Sequence, residues 1–169
     1  MTAVDPTLDR LFRHEVFATK KTFEFLRSVP EATLTMTAPN TDWDVAVLLT
    51  HIVEASMSYG ARIDGRPGPD LQPPDTHADL AAMEPLAVDA AERLRELVAE
   101  GSDAEVVEVD GKTTYRYPRS VVLAQSVYHA IEHRAQLFGV LAANGVGGLT
   151  LDDMDHWSLG HGEGVLTES

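Results

Sequence analysis

The amino-acid sequence predicts an all-α fold, a four-helix bundle with a small β-hairpin between helices three and four. Four long stretches repeat apolar residues at the three- and four-residue spacing of an amphipathic helix, roughly over residues 6–28, 44–63, 77–100 and 119–144. Two short runs of alternating side chains flank Asp110-Gly111, a dipeptide typical of tight hairpin turns. Together these patterns favour a helical bundle that carries one hairpin.

Capping signals place the starts of the first three helices. Asp5-Pro6 combines a capping carboxylate with proline at the first helical position. Asp44 fits the N-cap of helix two, and Trp43 before it is placed to pack on Leu48 as a hydrophobic staple. Thr76 or Asp79 begins helix three.

Two connections and one proline complete the predicted organisation. Pro85 lies inside the helix-three pattern, where it either kinks the helix or marks its first full turn. The loop Asp64–Pro74 is rich in glycine and proline, and we expect it to be a crossover or the rim of an active site. In the tail, residues 146–169, Met154 and Trp157 are expected to pack on the end of the bundle.

Composition indicates one domain over residues 1–169 and excludes several classes of protein. The 13 basic and 27 acidic side chains give a net charge of −14, which disfavours nucleic-acid binding because phosphate backbones are also negative. No apolar run approaches the length of a membrane span, and the amino-terminal residues lack a signal sequence, so we expect a cytoplasmic protein without a membrane partner. Without cysteine, any metal site must use histidine and carboxylate.

Helix four contains a pair of histidines with metal-binding spacing. His129 and His133 lie four residues apart, so they project from the same face of the helix, one turn apart. That face also carries Val122, Ser126, Leu137 and Val140, and we expect it to look into the protein. His51 lies on or beside the apolar face of helix two. The three imidazoles form a candidate site for one divalent metal ion, with a coordination position left open for water or substrate.

Other interpretations of these residues stay open. A buried histidine is more often a hydrogen-bonded core residue than a ligand, and one HxxxH pair is weak by itself. Two imidazoles aimed into an apolar core would nevertheless carry a desolvation cost without partners, which ligation supplies. Glu54 and Glu132 are candidates to accept the free N–H of a ligating ring, and plain surface charge explains them equally well. His14 is expected to be a solvated surface residue on helix one.

The two histidine segments resemble the signatures of the DinB-like (YfiT-like) metalloenzymes. The run Trp43-Asp44-Val45 leading to Leu48-Leu49-Thr50-His51 is similar to the family's helix-two signature. The run His129-Ala-Ile-Glu-His133-Arg134-Ala-Gln136 is similar to its helix-four HxxxHRGQ signature, with Ala135 in place of the usual glycine. The resemblance extends from helix one to about Asn144.

The resemblance implies a DinB-type bundle, often dimeric, with a divalent metal held by His51, His129 and His133. Zinc and nickel are the leading candidates. It also implies chemistry that depends on a low-molecular-weight thiol such as mycothiol or bacillithiol, in a transferase or isomerase acting on a small electrophile. The metal would lower the pKa of the thiol, and the Asp64–Pro74 loop and the tail around Trp157 would shape the electrophile pocket. Two alternatives are a metal-dependent hydrolase and a non-catalytic stress-response or ligand-binding dimer.

Overall fold

The computed structural model describes residues 4–39 and 41–166 and is mostly helical. Met1–Ala3, Asn40 and the last three residues of the predicted tail, 167–169, lie outside the described residues. The long helices and the hairpin follow the predicted order: α1 (Pro6–Ser28), α2 (Val45–Ile63), α3 (His77–Ala99), β1 (Glu105–Asp110), β2 (Thr113–Pro118) and α4 (Arg119–Ala143). A short helix, α5 (His156–Gly162), follows in the tail, and single 3₁₀ turns lie at Glu31–Thr35 and Asp152–Met154.

The predicted caps are present, which explains why the helix bounds agree with prediction to within one residue. The Asp5 carboxylate accepts the backbone N–H groups of Thr7 and Leu8, and that of Asp44 accepts the N–H of Val47. Thr76 and Asp79 form a reciprocal capping box at the start of α3.

Pro85 does not mark the start of α3, because the helix begins eight residues earlier and is continuous through it. Proline lacks an N–H, so the carbonyl of Ala81, one turn earlier, has no helical donor. Both residues lie on the exposed side of α3, where water can satisfy that carbonyl.

The four long helices enclose one main apolar core. Helix α1 packs chiefly against α3, and α2 packs against both α3 and α4. The largest side chains of the core come from all four helices and are almost completely buried: Phe23, Leu26, Leu48, Leu49, Leu80, Leu137 and Leu141. Helix α2 therefore lies between α3 and α4.

The hairpin agrees with prediction except that its turn lies one residue later. Asp110 pairs with Thr113, which leaves Gly111 and Lys112 as the two turn residues. Gly111 has a φ of +57°, whereas Lys112 does not have a positive φ. Glycine at the first of two loop positions is typical of a type II′ turn, whose twist matches that of the strands.

The tail folds back along the bundle, and this overturns one prediction about α1. Met154 is 2 % exposed in the main core, whereas Trp157 is 69 % exposed and does not pack on the end of the bundle. His14, expected on the surface, is only 8 % exposed because its Nε2–H donates to the carbonyl of Met154. Among the described residues, no helix is long and apolar enough to span a membrane.

Candidate metal centre

Helices α2 and α4 bring His51, His129 and His133 together. The ring centroids of His129 and His133 lie 4.4 Å apart, as expected for residues one turn apart on one helix face. The His51 ring approaches from α2, 4.8 Å from His129 and 4.6 Å from His133. The three rings are half-buried at the edge of the core, not inside it as the apolar face had suggested.

The nitrogen atoms of the three rings are spaced as one metal ion requires. One nitrogen of each ring lies within 4.8 Å of the other two, and no other group of histidine and carboxylate side chains among the described residues meets this criterion. Nε2 of His51 and Nε2 of His129 are 3.1 Å apart. Two imidazoles on a tetrahedral zinc ion, at about 2.0–2.1 Å each, place their nitrogens roughly 3.3–3.4 Å apart. The three imidazoles could therefore hold one divalent transition-metal ion.

The surroundings keep two of the rings neutral. Burial, followed by the neighbouring His133 and His51, lowers the pKa of His129 to about 4. Burial, followed by His133, also lowers the pKa of His51, and the charge of Glu54 opposes this only in part. Neutral imidazole is the form that donates a lone pair to a metal, so both rings can bind an ion at neutral pH without first losing a proton.

Gln136 fixes the orientation of the third ring. Nδ1 of His133 lies 3.0 Å from the side-chain oxygen of Gln136, which as an acceptor requires the proton on Nδ1 and leaves Nε2 with its lone pair free. Neither Glu54 nor Glu132 accepts the N–H of His133, although both were candidates to support a ligating ring. Glu132 is exposed, and Glu54 accepts the backbone N–H of Leu71 at 2.6 Å. Gln136 is three residues from His133 on the same face, a spacing that sequence analysis could have used.

Two aromatic side chains border the cluster. Trp43 stacks on His133 with ring centroids 5.9 Å apart and meets the edge of His51 at 4.7 Å. Its position just before the N-cap of α2 was interpreted as a staple on Leu48, but the ring contacts the histidines. On the other side, the Tyr59 ring lies 5.8 Å from His129 in a T-shaped arrangement. These rings lie against two sides of the cluster.

The loop between α2 and α3 lies along the same helix as His51. The hydrogen bond from the Leu71 N–H to Glu54 ties it to α2. Gly68 approaches Ser58 so closely that a Cβ at this position would lie 2.9 Å from the Ser58 hydroxyl. The loop therefore connects α2 to α3 alongside α2, and its role as the rim of an active site stays a prediction. The described contacts of the tail are instead with α1 and with the side of α4 that carries Ile131, Arg134 and Ala135.

Fold and site define a helical bundle with a three-histidine cluster between α2 and α4. A family model described as the DinB family matches residues 4–159, which includes all four long helices and the three histidines. The chain belongs to the DinB family. No curated protein sequence gives a significant match to the chain. Family membership and the three-histidine cluster together fit a metal-dependent enzyme.

Proposed function

We propose that the protein is a metal-dependent enzyme of the thiol-transferase or thiol-dependent isomerase type, with His51, His129 and His133 as its metal ligands. The observation that supports this most is the convergence of three imidazole nitrogens within 4.8 Å. Three protein ligands leave a position open on a four-coordinate ion, as in catalytic rather than structural sites. Zinc and nickel both accept such a nitrogen donor set.

The side chains around the cluster support this chemistry. When bound, the metal ion lowers the pKa of a coordinated thiol, which yields the thiolate nucleophile at neutral pH. Gln136 holds His133 in the tautomer that presents Nε2. Trp43 and Tyr59 lie against two sides of the cluster and add apolar surface beside it. The chain contains no cysteine, so a sulfur nucleophile must arrive with a cofactor.

The proposal is tested by measuring turnover with and without thiol. Zinc- or nickel-loaded protein is given a small thiol and 1-chloro-2,4-dinitrobenzene; the thiolate sulfur forms a bond to the ring carbon and displaces chloride. We expect turnover above the uncatalysed rate that requires thiol, is lost in His129→Ala and is retained in His161→Ala, an exposed histidine of α5.

Two results would overturn the proposal. Hydrolysis of p-nitrophenyl acetate by the metal-loaded protein in the absence of thiol would assign it to the hydrolases. The second result is a folded, metal-loaded protein that shows no turnover, and whose absorption spectrum with cobalt in place of zinc or nickel does not change when thiol is added. This result would favour the non-catalytic alternative, a stress-response or ligand-binding dimer.

We also propose that the protein forms a homodimer through the outer face of α4. This face carries Val121 and Tyr128, which are both exposed, while the opposite face of α4 packs on α2. An apolar helix face of this kind is suited to a two-fold contact with its own copy. Light scattering should show a dimer for the wild type and a monomer for Tyr128→Glu, with Tyr115→Glu on the exposed hairpin as control. A monomeric wild type would contradict this.

A further inference from the structure

A row of half-exposed side chains runs from the histidine cluster along one face of α2. His51, Ala55, Ser58 and Arg62 are spaced by four, three and four residues, so they form one stripe along the helix. The two residues in the middle of the stripe have small side chains, and all four are half-exposed. The stripe is therefore a shallow groove with the candidate metal centre at one end and a guanidinium group at the other.

The far end of this groove opens into a cavity of about 380 Å³. Its lining combines the end of α2, the loop and the hairpin: Ser58, Arg62, Gly65, Arg66, Pro67, Gly68, Val107 and Glu108. The volume lies in the range of pockets that hold small molecules. Because the loop is tied to α2 through Glu54 and packs closely at Gly68, the cavity wall is held in place.

Two arginine side chains line the cavity and can meet an anion there, although the chain as a whole is acidic. Arg62 and Arg66 are opposed in the lining by the single carboxylate of Glu108, whereas the whole chain has a net charge of −14. Arg66 is also paired with Asp64, outside the lining, so Arg62 is the main candidate to bind a ligand. A local positive site on an acidic protein concentrates small anions.

One ion pair holds the Arg62 side chain in place and leaves most of its N–H donors unused. Its Nη2 lies 3.1 Å from Oε1 of Glu108, while the other carboxylate oxygen accepts the Tyr117 hydroxyl at 2.6 Å. Arg62 makes no other ion pair or side-chain hydrogen bond with the described residues. A guanidinium has five N–H donors, so most of them are left for a ligand.

The guanidinium is also close to the reacting end of the groove. Its carbon lies 5.9 Å from the centroid of the Tyr59 ring, and that ring lies 5.8 Å from His129. Because the Arg62 side chain reaches back over Tyr59, these two distances together bound the gap between the guanidinium and the His129 ring, and an extended chain of seven or eight carbon atoms spans that gap. A ligand of that length can reach both ends at once.

We infer that this cavity binds the carboxylate end of the thiol substrate, with Arg62 as the specificity-determining residue and the sulfur at the three-histidine end of the groove. The inference rests on the proposed function, since it assigns the second end of a molecule whose first end is the metal-bound thiol. A carboxylate accepts two N–H bonds from a guanidinium in a planar, bidentate pair, which a neutral hydroxyl cannot do.

The test uses two thiols of equal length and different charge, 8-mercaptooctanoate and 8-mercaptooctan-1-ol. Cobalt-loaded full-length protein is titrated with each, and binding is followed by the sulfur-to-cobalt charge-transfer absorption, which does not depend on turnover. We expect the acid to bind about tenfold more tightly than the alcohol, as a charge-assisted hydrogen bond would give. Arg62→Met should reduce the affinity for the acid to that for the alcohol and leave the alcohol unchanged.

Matched variants separate this result from a general loss of positive charge or of folding. Arg116→Met removes the same charge from an exposed hairpin residue and should keep the preference for the acid. Ala55→Leu narrows the groove and should weaken both long thiols while 2-mercaptoethanol, which occupies only the metal end, binds as before.

Equal affinities of the wild type for acid and alcohol would overturn the inference and leave the proposed thiol chemistry standing. Failure of all three thiols, including 2-mercaptoethanol, to change the cobalt spectrum would overturn the proposed function together with the inference.

Discussion

At the scale of single residues, Gln136 is the side chain through which the protein sets the tautomer of a candidate ligand. Replacing it with leucine removes the acceptor for the Nδ1–H of His133, so the ring can take the other tautomer or rotate. We predict that Gln136→Leu weakens metal binding about 10–100-fold, as loss of such a supporting hydrogen bond does elsewhere. Competition with a chromogenic chelator measures this, and Gln125→Leu, exposed on the same helix, is the control. Equal affinities of the two variants would show that Gln136 has no such role.

The positions of the three histidines could be predicted from the sequence, whereas their supporting partners could not. His129 and His133 were predictable because helical spacing fixes their relation, and His51 because it lies beside an apolar face. The residue that accepts the N–H of a ligating ring could not be predicted by looking for nearby carboxylates. Glu54 and Glu132 are both near the cluster, yet Glu54 binds the loop and Glu132 faces water. His14 was assigned to the surface because the residue that covers it, Met154, lies 140 positions later in the chain.

At the scale of elements, the docking of the tail makes stability depend on pH. The His156 ring of α5 packs on His14 of α1 with centroids 4.2 Å apart, and its buried Nδ1 has no hydrogen-bond partner among the described residues. Burial, followed by the neighbouring His14 and the positive charge of Arg10, lowers the pKa of His156, and the carboxylates of Asp155 and Glu15 oppose this only in part. The folded protein therefore binds a proton at His156 less readily than the unfolded chain does.

The direction in which stability changes with pH follows from this difference in proton binding. Below the unfolded pKa of about 6.5 the unfolded chain takes up the proton first, so the free energy of unfolding falls as the pH falls toward the lower folded pKa. We predict that metal-free His156→Gln loses less stability than the wild type between about pH 7.5 and about pH 5.5. Urea unfolding at both pH values measures this, with His161→Gln, exposed on the same helix, as control. An equal loss in His156→Gln and the wild type would rule out this contribution.

The elements themselves were predicted well because their signals are local. Caps at Asp5, Asp44 and Thr76 and the glycine of the hairpin act within a few residues, so the sequence specifies where each element begins or turns. The short helix α5 was missed because seven residues carry too little periodicity to distinguish a helix from a loop. Its burial against α1 depends on contacts between distant parts of the chain.

At the scale of the whole molecule, a buried ion pair connects α1 to the helix that carries the histidine pair. Nη2 of Arg134 donates to Oε2 of Glu15 at 3.2 Å, and the two residues are 3 % and 5 % exposed. Burial raises the pKa of Glu15, but the positive charge of Arg134 and the hydrogen bonds from His14 and Arg134 outweigh it and leave the pKa below its usual range. The Glu15 carboxylate is therefore charged at neutral pH, and Arg134 supplies the counter-ion that stabilises this buried charge.

Removing the arginine leaves a buried charge without its counter-ion. We predict that Arg134→Met lowers the free energy of unfolding by about 3–5 kcal/mol at neutral pH. Arg13→Met is the matched control, because Arg13 pairs with Asp9 and Glu163 at the surface, where such pairs contribute about 0–1 kcal/mol. Urea unfolding compares the two variants. If Arg134→Met is no less stable than Arg13→Met, the pair does not hold α1 and α4 together.

The central claim is that one metal ion binds the three histidines, and elemental analysis tests it most directly. Tag-free protein purified without chelator, and reconstituted with zinc or nickel where needed, is compared with His51→Ala, His129→Ala, His133→Ala and the control His161→Ala. We expect about one equivalent of transition metal in the wild type and in the control, and none in the three variants, with unchanged helical circular dichroism. Full metal content in His129→Ala, or none in the reconstituted wild type, would contradict it.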